Sequence, residues 1–208
     1  MLNANEIYQI IAQMYPDAYC ELNYRNNFEL LVSTVLAAQA TDKSVNNVTG
    51  KLFSKYPDAY ALSKAKFEEV REIIKTVGLA NSKAKNIIKL SKQLVDEKKG
   101  EVPADFDYLI TLKGVGRKTA NVLLAEGFKI PRIAVDTHVS RVANRLGLSD
   151  SLDPLKIEKD LMDLYEEEIW GDLHLKLLFF GRYFCKSKNP ECEKSIYCPF
   201  KEFCKKYL

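Results

Sequence analysis

"LKGVGRKTANVLL", residues 112–124, decides how this chain is read. Two glycines, one residue apart, stand at the mouth of an apolar, helix-patterned run, and an arginine and a lysine follow at once. Glycine weakens a helix interior because it loses the most backbone freedom on ordering. Positive charge is disfavoured in a first turn, where the helix dipole is already positive. The periodicity still predicts a helix from Arg117 to Gly127, preceded by a short one from Asp105 to Leu112. Lys113, Gly114, Val115 and Gly116 then connect two helices in a tight hairpin. Glycine tolerates positive φ and lets another group approach the backbone, while Val115 can tuck inward. The free N–H groups of the second helix form an anion site. Lys113, Arg117 and Lys118 surround that site and suit a phosphate, with a phosphodiester the obvious candidate. A hairpin that merely turns the chain is the plainer alternative.

Helical periodicity extends outward on both sides. Ile7, Ile10, Ile11 and Met14 make one apolar stripe, stopped by Pro16. Phe28, Leu31, Val32, Val35 and Leu36 make another. Thr41 is placed to cap the helix carrying Val45, Val48, Leu52 and Phe53; Ser82 is placed to cap the one carrying Ile87, Leu90 and Leu94. No stretch alternates as a half-buried strand does. The fold class expected is all-α, with about ten helices on short connections.

Composition excludes several classes. A chain of 208 residues with 47% hydrophobic and 28% charged residues can bury a core without staples. Its apolar runs are too short to span a bilayer, and polar Asn3, Asn5, Glu6 and Gln9 argue against a signal peptide. A cytoplasmic protein with no membrane partner is expected. The net charge of +3 permits a polyanion partner without demanding one. The cysteines number five, an odd count that suits metal ligation better than a disulfide framework.

The hairpin followed by "IAVDTHVSRVANRLG" (133–147) resembles the helix-hairpin-helix (HhH-GPD) superfamily of base-excision DNA glycosylases. In that superfamily the hairpin leads, through a loop punctuated here by Gly127 and Pro131, to an aspartate, here Asp136. "FELLVSTVLAAQATD" (28–42), "VGLANSKAKNI" (77–87), "GEVPAD" (100–105) and "FFGRYFC" (179–185) carry the resemblance over nearly the whole chain, from about Glu21 to Cys204.

The resemblance makes Lys118 and Asp136 the catalytic pair. An amine attacks only when deprotonated, and a partly desolvated, electropositive site favours the neutral form. Lys118 would attack C1′ of a damaged nucleotide, expel the base and form a Schiff base, so that the strand breaks by β-elimination. Asp136 would stabilise charge on the sugar or move protons while also capping a helix. Members with this lysine cut the strand as well as releasing the base, which implies a bifunctional glycosylase and abasic-site lyase. Gln39 and Leu79, at helix ends, are implied to enter the duplex when the nucleotide flips out. Gly114, Gly116 and Arg117 are implied to bind the backbone, and His138 to line the base pocket. A solvated lysine, a packed leucine and a plain cap are the alternatives for Lys118, Leu79 and Asp136.

Cys185, Cys192, Cys198 and Cys204 crowd the last stretch, with gaps of six, five and five residues. Four thiolates in a short loop suit an iron–sulfur cluster or zinc. The branch of the superfamily that the chain resembles most holds a [4Fe–4S] cluster with gaps of six, two and five. Here Ser195 occupies the expected third position and Cys198 arrives three residues late. Either a small insertion lets Cys198 replace the missing ligand, or the cluster is altered, replaced by zinc, or lost.

The expected architecture is two-lobed: a six-helix barrel over 21–130, and a second lobe from 1–20 and 131–208 bearing the cysteine loop. Lys118 and Asp136 would face bound DNA from opposite lobes. The expected partner is double-stranded DNA with damaged bases or abasic sites, bound by a monomer; the expected damage is an oxidised or ring-saturated pyrimidine. A non-catalytic hairpin DNA-binding module and a monofunctional glycosylase for another lesion are the competing readings.

Overall fold

The structure is a computed structural model that describes residues 2–188, 198–202 and 204. Among these residues there are eleven α-helices and no strand. The chain divides into two compact units, Glu21–Phe128 and the flanking pair Met1–Cys20 with Lys129–Leu208.

The unit Glu21–Phe128 is built on α2 (Asn27–Ala37), whose residues Phe28 through Leu36 are all buried. The sequence reads α2 as one apolar stripe, yet Glu29, Ser33 and Thr34 are buried too. A helix hidden on every side is a core helix, and its polar groups must find local partners. Thr34 donates to the Leu30 carbonyl at 2.7 Å. Glu29 accepts from the Arg25 amide and from the Arg25 guanidinium. Asn26 caps the first turn through the Glu29 amide at 2.9 Å.

Around α2 lie α3 (Asp42–Lys55), α4 (Ala59–Ser63), α5 (Phe67–Ile73), α6 (Ala80–Lys98), α7 (Phe106–Leu109) and α8 (Arg117–Phe128). Thr41 caps α3 as expected, accepting from the Ser44 amide. Ser82 does not cap α6: the helix starts two residues earlier, and its cap position is Leu79 in a left-handed conformation with no side-chain bond. Gly127 is not loop punctuation but the penultimate residue of α8. A Cβ there would lie 2.6 Å from Asn27 Oδ1 and 3.3 Å from Leu30 Cδ2, so a larger residue would have to displace the Asn27 side chain where α8 packs on the start of α2.

The other unit joins both ends of the chain. α1 (Ala4–Met14) opens with a reciprocal cap, Asn3 and Glu6 each accepting the other's amide proton. Its buried residues Ile7 and Ile11 share one core with Val139 and Val142 of α9 (Thr137–Arg145), Leu161 of α10 (Pro154–Leu164) and Leu177 of α11 (Trp170–Phe179). Polar ties reinforce the packing. Tyr8 donates to Asp172 at 2.7 Å, and Lys176 reaches the Tyr15 and Pro16 carbonyls at 2.7 and 2.6 Å. A short π-helical turn, Phe180–Phe184, carries the chain from α11 to Cys185.

Candidate active site and cysteine site

The hairpin is α7, the turn through Gly116, and α8. Leu112 and Val115 are buried and pin the turn to the core; the Val115 amide donates to the Leu112 carbonyl at 3.1 Å. Gly114 has φ +84°, and a Cβ on it would sit 2.9 Å from Asn86 Nδ2 on α6. Both conformation and space therefore demand glycine. Gly116 differs, since its φ is not positive and a Cβ would meet nothing within 4 Å. Its carbonyl accepts from the Ala120 amide at 3.0 Å and so starts α8. The open space beside it leaves the backbone approachable.

Lys113, Arg117 and Lys118 are all exposed. The Arg117 guanidinium lies 5.0 Å from the Phe106 ring centre, a cation–π contact that clasps the two hairpin helices. Lys118 is the second residue of α8, where the first amides lack intrahelical partners. Because Lys118 is exposed, the desolvation expected from the sequence is not supplied by its own surroundings.

Gln39 follows α2 and Leu79 precedes α6. Both are non-glycine residues in the left-handed region, at φ +54° and +62°. Leu79 is 60% exposed, which overturns core packing as its alternative role. A left-handed, exposed leucine is costly in backbone energy and gains little from burial.

In the unit that holds α9, Asp136 is half-buried and caps that helix. Its Oδ1 accepts from the His138 and Val139 amides, both at 2.8 Å; among the described residues Oδ2 takes no hydrogen bond. His138 is half-buried, with Nδ1 3.2 Å from Arg141 Nη2.

Two residues of this region escape the sequence reading. Arg141 donates to the carbonyls of Cys185 at 2.9 Å, Gly181 at 2.6 Å and Thr137 at 3.2 Å, and burial pulls its pKa below the usual arginine value. Arg145 donates to Cys185 Sγ at 3.2 Å and to the Lys186 carbonyl at 2.9 Å. Their spacing of four on one helix placed them on one face; nothing local said what that face would meet.

Cys185, Cys198 and Cys204 line one small cavity of about 10 Å³, together with Arg145, Leu146, Phe180, Phe184 and Phe200. Cys192 and Ser195 lie outside the described residues. Among the described residues no three His, Cys, Asp or Glu side chains gather tightly enough for a single ion. A cubane cluster sets its thiolates further apart than a single ion does, and three cysteine sulfurs among mostly apolar side chains are the donor chemistry it takes.

The family model described as HhH-GPD superfamily base excision DNA repair protein matches residues 32–167. That match and the glycine hairpin together define a helix-hairpin-helix DNA repair protein. The endonuclease III of Bacillus subtilis (strain 168) is 46% identical over 209 residues, covering 99% of this chain and 94% of that protein. A solved structure of a trapped endonuclease III–DNA covalent intermediate superposes with a TM-score of 0.93 at 45% identity, covering 100% of this chain and 98% of that one. A non-covalent endonuclease III–DNA complex gives 0.94 at 45% identity, covering 100% and 97%. The chain belongs to the endonuclease III family. It is a base-excision repair enzyme, a DNA glycosylase that is also an abasic-site lyase.

Proposed function

We propose that Lys118 is the nucleophile and Asp136 its carboxylate partner in the excision of oxidised or ring-saturated pyrimidines from duplex DNA. The observation that carries this reading is an exposed lysine in the first turn of α8, directly after a glycine hairpin.

The bound duplex supplies the desolvation that the free protein lacks. The Nζ lone pair of Lys118 attacks C1′, the glycosidic bond breaks and the base departs with a proton. Ring opening gives an imine between Nζ and C1′. The imine acidifies C2′; loss of that proton and departure of the 3′ phosphate complete β-elimination, and water then releases the enzyme. Asp136 holds a carboxylate at the start of α9, with one oxygen engaged by two amides. The second oxygen is the one we assign to the positive charge on the sugar or the proton leaving the amine. Gln39 and Leu79 fill the gap left by the extruded nucleotide. Gly114, Gly116 and Arg117 hold a phosphate, and His138 lines the base pocket. The relative's covalent intermediate with DNA supports a covalent route.

Cys185, Cys192, Cys198 and Cys204 are proposed to hold a [4Fe–4S] cluster, Cys198 replacing the ligand that Ser195 does not provide. When bound, the cluster supplies a cross-link between the cysteine loop and the end of the helical segment at Cys185. A monomer acting on chromosomal DNA in the cytoplasm is sufficient for this chemistry. No helix among the described residues is long and apolar enough to cross a membrane.

Borohydride trapping on DNA with a single abasic site is the test. A covalent adduct from the native chain and none from Lys118→Gln is the expected result. Binding without an adduct favours a non-catalytic module; base release without an adduct favours a monofunctional glycosylase.

A further inference from the structure

We propose that Arg145 sets the reduction potential of the iron–sulfur cluster by donating a charged hydrogen bond to the Cys185 thiolate. The inference rests on the cluster assigned above and extends to a residue outside base excision.

The two arginines of α9 do different work. Arg141 donates its hydrogen bond to Cys185 at the carbonyl oxygen. Arg145 places Nη1 3.2 Å from Cys185 Sγ, anchors the same nitrogen on the Lys186 carbonyl at 2.9 Å, and lines the cavity with the cysteines. Cys185 is only 5% exposed, and the other side chains of that wall are Leu146, Phe180, Phe184 and Phe200. Water screens a charge poorly in such surroundings. A donor and a positive charge aimed at a ligand sulfur favour whichever cluster state carries more negative charge, which is the reduced one. The midpoint potential therefore rises. The anchoring carbonyl fixes the donor's direction, so this is a held hydrogen bond rather than a wandering surface cation.

The experiment uses the intact holoprotein as native chain, Arg145→Lys and Arg145→Met. Iron per chain is measured first. Midpoint potential is then read by voltammetry, and bleaching of cluster absorbance is followed with ferricyanide as the one-electron oxidant. Arg145→Met is expected to lower the potential and bleach several-fold faster; Arg145→Lys, which keeps the charge but not the planar donor, falls between. Native potential in both variants at full iron content overturns the proposal. Iron lost from both, with native circular dichroism, also overturns it, since Arg145 then only holds the loop. A native chain without iron removes the cluster assignment itself, and this inference with it, while leaving the trapping result untouched.

Discussion

Gln39 and Leu79 adopt the same left-handed backbone conformation on two neighbouring turns, and a Cβ at Gly78 would lie 3.7 Å from the Gln39 carbonyl oxygen. Two strained non-glycine residues side by side cost on the order of 1 kcal/mol each. Leu79 recovers little of this through burial, being largely exposed. Leu79→Ala is therefore expected to change stability by no more than about 0.5 kcal/mol. Excision from duplex DNA should slow about tenfold, because extruding a base costs a few kcal/mol. Thermal unfolding and single-turnover base release check the two halves; an unaltered rate removes Leu79 from the wedge.

Asp136 combines a cap with a proposed catalytic charge, and substitution can separate them. Asn caps as well as Asp, whereas Ala forfeits about 0.5–2 kcal/mol. Asp136→Asn should keep native stability and lose activity by about two orders of magnitude. Asp136→Ala should lose both. Equal activity for Asp136→Asn and the native chain, in base release and lyase assays, would leave Asp136 as a cap alone.

The hairpin glycines predict opposite outcomes. Gly114→Ala meets positive φ and Asn86 together and should destabilise by about 1–3 kcal/mol. Gly116→Ala meets neither and should be neutral or stabilising by up to about 1 kcal/mol. It should nonetheless weaken duplex binding, because a methyl group would occupy the open side of the turn. Denaturant melts and salt-matched binding titrations distinguish the two.

Cys198 decides the cluster reading. Cys198→Ser is expected to lose iron and to unfold at lower temperature, while Cys20→Ser keeps both at the native level. Full iron in Cys198→Ser would show that the altered spacing is served by another ligand.

Tyr8 provides a pH signature. Burial first, then its hydrogen bond to Asp172 and that carboxylate's charge, push the hydroxyl up to about 12. The folded chain thus holds this proton more tightly than the unfolded chain. The resulting stability is complete below the ordinary tyrosine value and is lost between about pH 10 and 12. Tyr8→Phe should flatten that alkaline decline in thermal-unfolding profiles.

Some of this was legible from residue order because it depends on near neighbours. Thr41 as a cap, the helix after Gly116 and the all-α class all follow from contacts within one or two turns of chain. So did the place of Lys118, two residues past a glycine. Other features were misread because their cause lies far away in sequence. Nothing near Gly127 in the sequence says that Asn27, a hundred residues earlier, lies against it. Ser82 had the chemistry of a cap, but α6 began at Ala80 behind a left-handed Leu79. The polar residues of α2 gave no sign that every face of that helix would be buried.

Residue order by itself determined the helices, the glycine turn with its cations, and the chemistry on offer: an amine, a carboxylate and a set of thiols. Only the tertiary structure decided which glycine is obligatory, which exposed leucine is strained, and that an arginine on α9 points at a cysteine forty residues on. The physical reason is range. Periodicity and capping act over a turn of helix, whereas close approach, backbone strain and a buried hydrogen bond exist only once distant segments have packed.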